Sequence, residues 1–163
     1  MSPRTLLLAA VVAVPVLVVG WFLFRPELLF VNRDVHEELP AVAKDAAPKV
    51  LATGMFHGVA HATKGTAAVH EAADGKRVLR LTDFETSNGP AVHVYLIAAA
   101  DAADDATVKK AESIDLGEIK GNRGDQNYDV PAGADLAKYR AVTIWCARFD
   151  VNFATAPLTA PAT

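Results

Sequence analysis

The chain alternates at RVLRLT, Arg77–Thr82, again at VHVYLI, Val92–Ile97, and a third time at AVTIWC, Ala141–Cys146. In the first run Arg77, Leu79 and Leu81 oppose Val78, Arg80 and Thr82. In the second, Val92, Val94 and Leu96 oppose His93, Tyr95 and Ile97. In the third, Val142, Ile144 and Cys146 oppose Thr143, Trp145 and the following Ala147. A period of two sends successive side chains to opposite faces of a strand. Working outward, turn signals separate the runs: Asp74-Gly75, Asn88-Gly89-Pro90, Gly121-Asn122-Arg123-Gly124 and Pro131-Ala132-Gly133. The pattern predicts about eight short strands, near 52–59, 65–72, 76–84, 91–98, 113–120, 126–130, 141–148 and 150–153. Ala102–Ala111 reads as a charged, Ala-rich loop or short helix, and Asp135–Tyr139 as one helical turn. Many short strands with regular turns mean an all-β domain, a sandwich or a barrel. No internal repeat or low-complexity tract interrupts it.

The 163 residues suit one domain of ordinary size. A net charge of −3 argues against nucleic acid, whose binders carry a clear basic excess. One cysteine excludes an intramolecular disulfide, a CxxC pair and a Cys-rich zinc knuckle. The hydrophobic fraction, 52%, is high, and Leu6–Phe24 is the source: only Pro15 and Gly20 interrupt that apolar run. Without it the remainder is roughly 47% apolar, an ordinary globular value. As a helix the run would span about 28 Å, close to a bilayer's hydrocarbon thickness. A cleaved signal peptide is the rival reading, but the run is long for one and bulky Trp21 and Phe22 sit where small residues belong. No cysteine follows it to carry a lipid. The expectation is a signal anchor over 1–25, a juxtamembrane helix and linker over 26–50, a β-domain over 51–158 and a tail over 159–163. Within the second segment Leu28, Phe30, Val31, Val35 and Leu39 are spaced as on a helix, between Pro26 and Pro40. Flanking charge is nearly balanced; the short N-terminus is read as inside and the large domain as extracytoplasmic.

Cys146 leads the candidate site residues. A lone thiol can be a nucleophile, a redox group or a soft ligand, or a packed core residue. Arg148, two residues on, would share its face and favour the thiolate. His57 and His61 stand four apart, which suits a metal on a helix, but Gly54, Gly58 and Gly65 oppose a helix there. On a strand that spacing is about 13 Å, too far for one ion. His57 or His93 would instead have to meet Cys146 across the fold. A blue-copper set lacks a histidine after Cys146, and CxxCH haem attachment is absent. Asp101, Asp104 and Asp105 read as a solvated loop rather than a calcium loop. Gly121–Tyr128 reads as a structural hairpin, with a loop lining a ligand site as its rival.

Six blocks in order then carry a family pattern. They are Gly54-Met55-Phe56-His57-Gly58; Leu79–Phe84 with Asn88-Gly89-Pro90; His93-Val94-Tyr95-Leu96; Leu116–Asn122; Gly124–Tyr128 with Pro131; and Ile144-Trp145-Cys146 with Phe149 and Phe153. Together they resemble the DM-thirteen domain, an electron-transfer domain found beside DOMON modules in Skeletor-type animal proteins and alone in bacteria. The resemblance covers about residues 51 to 158. It implies an extracytoplasmic antiparallel β-sandwich related to the DOMON fold. It also implies that the family's cysteine falls on Cys146, with a redox role as a bare thiol or as ligand to a prosthetic group such as haem. Trp145 and Arg148 would then shape the site, and His57 or His93 would supply a second ligand or proton acceptor. With no DOMON module or multi-helix cytochrome in the chain, the electron donor is expected to be a separate membrane protein. The first functional reading is therefore a membrane-tethered, extracytoplasmic electron-transfer module. The second is a non-catalytic envelope-binding sandwich with Cys146 merely packed. The third, an enzyme with a nucleophilic thiol, finds no triad in the sequence.

Overall fold

The computed structural model describes residues 2–24, 31–39 and 48–161. Two five-stranded sheets face each other. Sheet 1 has the order β1 (Asp34–His36), β8 (Arg123–Val130), β5 (Arg77–Glu85), β4 (Lys64–Glu71), β2 (Lys49–Met55). Sheet 2 has the order β3 (His57–Gly58), β10 (Val151–Pro157), β9 (Ala141–Cys146), β6 (Val92–Ile97), β7 (Ser113–Glu118). All pairings are antiparallel except β1 with β8. The all-β sandwich expected from the alternation is present, and α1 (Pro3–Phe24) precedes it.

The alternation sets the faces. Ala67, Val69, Leu79 and Leu81 of sheet 1 meet Val94, Leu96, Val142 and Ile144 of sheet 2, all fully buried. At roughly 25 cal/mol per Å² of apolar surface removed from water, this contact is the main force joining the sheets. Sheet 2 carries a second cover. The excursion after β6 folds over its outer face, with α2 (Asp105–Lys110) capped by the Asp104 carboxylate, which accepts from the Thr107 amide. Ile97, Ala102, Val108, Ala141 and Trp145 pack there as a smaller cluster. Beneath it the buried Asn152 and Thr155 side chains both donate to the Ala102 carbonyl.

Three sequence expectations change. The described residues form ten strands, where about eight were predicted. The strand read at 52–59 is two, β2 and β3, in different sheets, because the chain crosses between layers at Phe56. The juxtamembrane helix is not present over 31–39: Asp34–His36 is β1, lying parallel to the edge of β8. The remainder of that expectation, 25–30, and the linker at 41–47 lie outside the described residues.

The Gly121–Gly124 loop explains β1. A Cβ at Gly121 would lie 2.4 Å from the Arg33 carbonyl oxygen, and one at Gly124 would lie 2.1 Å from that of Val35. Gly124 also has φ +91°, which side chains disfavour. The two glycines let the backbone of the β1 strap close onto the sheet. Asn122 Oδ1 accepts from the Arg33 amide at 2.7 Å. From inside, the buried Gln126 amide donates to the Gly121 carbonyl at 2.8 Å and accepts from the Lys120 amide at 3.1 Å. At the far end of the strap, Glu37 accepts from Lys120 Nζ at 2.8 and 2.9 Å and from the Asn127 amide at 2.7 Å. Arg80 donates to the Glu37 carbonyl and to Asp125.

Replacing Gly124 with Val should detach the strap and leave the sandwich folded. Hydrogen exchange across 33–37 should rise to solvent rates, while Gly133→Val, at a position with open space, changes nothing. Retained protection at 33–37 in the Gly124 variant would refute the cradle.

Burial pushes the Glu37 carboxyl up, but its bonds to Lys120 and the Asn127 amide and the charges of Lys120 and Arg80 outweigh that. Its pKa lies below the ordinary 4.5. A depressed folded pKa gives stability that is full above the unfolded value and lost as pH falls through the folded one. Exchange protection of the strap should therefore fade on acidification below 4.5, and Glu37→Gln should flatten that dependence. A strap in the parent chain that is indifferent to acid over that range would contradict the assignment.

Candidate functional site

β9 is buried along all six residues because both faces of sheet 2 are covered. Alternation then sorts its side chains. Val142, Ile144 and Cys146 enter the core between the sheets, and Ala141 and Trp145 enter the smaller cluster under α2. Cys146 is fully buried and free. Its cross-strand partners are Val92 on β6 and Val151 on β10. It is the last residue of β9, and residues 147–150 that follow are exposed.

The histidines named with it stand elsewhere. His93 pairs with Trp145, one residue out of step with Cys146, so its side chain projects from the outer face. There its Nδ1 meets Asp115 Oδ2 at 3.0 Å, its Nε2 lies 4.0 Å from Glu118, and its ring stacks on Tyr95 with centroids 5.9 Å apart. The Tyr95 hydroxyl pKa is raised, by burial first and then by Asp115. His57 sits on β3, and its Nε2 contacts Asp101 Oδ1 at 2.7 Å on the excursion that covers the outer face. Sheet 2 thus separates both imidazoles from the sulfur. His61 packs against the Phe153 ring at 3.9 Å between centroids.

Trp145 is buried, with Lys109 Nζ 6.0 Å from its ring centroid. Together with Tyr95, Lys109 and Asp150 it lines a cleft of about 270 Å³. Arg148 does not share the strand face of Cys146: β9 ends first, and Arg148 lies exposed in the turn, donating to the Leu23 carbonyl. The structure brings His93 and Trp145 together and leaves Cys146 apart from both.

A haem on Cys146 does not fit this arrangement. Of four clefts bounded by described residues, Cys146 lines none, and neither His57 nor His93 reaches its side of the sheet. Among the described residues no three His, Cys, Asp or Glu side chains converge to hold an ion. The acidic trio each has a structural partner: Asp101 accepts from the Ala102 amide, Asp104 caps α2, and Asp105 accepts from the Asn152 amide.

The reading of single residues missed one feature. The loops beside Cys146 and the incoming tether enclose a cleft of about 490 Å³. Its lining includes Arg33, Asn88, Val92, Lys120, Asn122 and Arg148. Val92 is the β6 partner of Cys146, so the cleft stands one residue from the thiol's position on the sheet. The signals were present in Asn88-Gly89-Pro90 and Gly121–Gly124, but nothing local joined two loops over thirty residues apart.

Comparison with known proteins covers this body. The family model described as Electron transfer DM13 matches residues 55–158. No curated protein and no solved structure matches the chain. The matched span runs from the end of β2 past β10, includes Cys146, Trp145 and Arg148, and leaves α1 and the β1 strap outside. Covering well over half of the sequence, it shows that the chain belongs to the DM13 electron-transfer family.

Proposed function

We propose that this chain is an electron-transfer module held on the extracytoplasmic side of a membrane by α1, with Cys146 as the group that changes oxidation state. The observation that carries this reading is the position of Cys146 at the end of the sandwich where the tether docks. α1 is apolar and long enough to cross a membrane, and its described side chains are not buried by the domain. Six residues, 25–30, separate Phe24 from the docked Val31. Fully extended, they reach about 25 Å, so a separate membrane-bound redox partner, which takes electrons from the resting thiol and returns them to its oxidised form, stays close to the thiol's end. The family resemblance supports the extracytoplasmic side.

Burial governs how the thiol works. A thiolate is the reactive form, and apolar surroundings oppose it. The sulfur therefore rests protected and reacts when the end of β9 opens. Opening there needs the pairs with Val92 and Val151 to separate and the bond from the Ala147 amide to the Ala91 carbonyl to break, which costs less than global unfolding. The packed-cysteine reading also has an observation in its favour, the zero exposure of Cys146.

Thiol labelling of the full chain across a urea series separates the two. A redox-competent Cys146 labels through local opening, with weak urea dependence and a rate well above that of global unfolding. A packed cysteine labels only with the steep urea dependence of the whole domain. Cys146→Ala should cost about 1–2 kcal/mol in either case and should abolish redox response only if the thiol carries it. His57→Ala and His93→Ala should leave the labelling rate unchanged, because both rings lie across the sheet.

A further inference from the structure

We infer that the tether end of the sandwich docks on anionic phospholipid headgroups. The inference rests on the membrane tether proposed above. Four pieces of chain form that end: Val31–Arg33, the β5–β6 loop, the β7–β8 loop and the β9–β10 turn, all represented around the 490 Å³ cleft. Three of its lining side chains are cationic. Lys120 is paired with Glu37. Arg33 and Arg148 have no carboxylate partner among the described residues, and both are exposed; Arg148 Nη1 donates to the Leu23 carbonyl, which places its guanidinium at the end of α1 with other donors to spare. Glu118 is the acid on the lining, and it is turned largely to solvent beside His93.

The apolar side chains point the same way. Outside α1, the large apolar side chains exposed among the described residues are Val31, Met55 and Phe149. Val31, 59% exposed, and Phe149, 55% exposed, both belong to this end. Phe149 follows Arg148 in the turn, and Val31 precedes Arg33 by two residues. Guanidinium groups beside solvent-facing apolar groups match the boundary between phosphate and acyl chain. A phosphodiester offers two oxygens to the planar guanidinium fork. Residues 25–30 can span at most about 25 Å, so this end stays near the bilayer and docking requires no long-range search.

Each arginine near an anionic surface contributes on the order of a fivefold preference, and two give roughly thirtyfold. The test uses the full chain in nanodiscs, either all zwitterionic or one-third phosphatidylglycerol, read by hydrogen exchange. The expected result is slowing of up to roughly thirtyfold at 86–91 and 147–150 in the anionic discs, with no change at the far turn 72–76. Arg33→Glu with Arg148→Glu should erase the difference, as should high salt. Equal exchange in both discs, from a chain that remains in the disc, overturns this inference alone. A chain that leaves the disc overturns the tether and this inference with it. Slowing that persists in the double variant, or that includes 72–76, overturns it as well.

Discussion

One close approach orients the domain. The tether backbone at Arg33 and Val35 occupies the space where side chains at 121 and 124 would stand, and glycine at both positions leaves it open. The strap gives the edge of β8 a partner, so an edge that would otherwise offer unpaired backbone groups is covered. Gln126 holds the loop from the core side, with its amide satisfied by the loop backbone and by the Tyr128 hydroxyl. Burial pushes the Tyr128 hydroxyl up to about 12, so it stays protonated and keeps donating across the physiological range. The strap is thereby the fifth strand of sheet 1.

The second constraint is that a sheet has two sides. Cys146 lies in step with Val142 and Ile144, and Trp145 lies in step with His93. No rotamer carries a side chain through a sheet. The expected meeting of cysteine and imidazole therefore fails for a topological reason. What remains at the thiol is its place at a strand end beside a cleft of polar loops. The redox role proposed for Cys146 has to be reconciled with a sulfur sealed in apolar packing. Opening at the end of β9 is the economical reconciliation, since sheet ends open at lower free energy than sheet centres.

Much of this was legible in the residues. Leu79 and Leu81 were assigned to one face and Arg80 to the other; the leucines are fully buried, and Arg80 reaches out to Asp125. The same period put Cys146 with the core-facing valine and isoleucine. The redox expectation came from the resemblance and not from the pattern. Two features were hidden by their nature. β9 is covered on its outer face by Ala102 and Val108, some forty residues earlier, and alternation within a strand cannot show a cover that comes from elsewhere. β1 is three residues long, too short for any period, and its cause lies in glycines ninety residues later. The helical spacing read across 27–39 gives way, over the described residues 31–39, to a tertiary partner, the free edge of β8.

On the proposed reading, the docked strap turns the Cys146 end of the sandwich toward the bilayer. β5 runs nine residues from one end of the sandwich to the other, about 30 Å, so the two ends are easily told apart. The direct measurement is paramagnetic broadening of backbone amides by gadolinium-chelate headgroups, with the full chain in nanodiscs. The account predicts strong broadening at Asn88, Asn122 and Arg148 and little at Gly75 and Gly133. Equal broadening at both ends, or a stronger effect at Gly75, would contradict it.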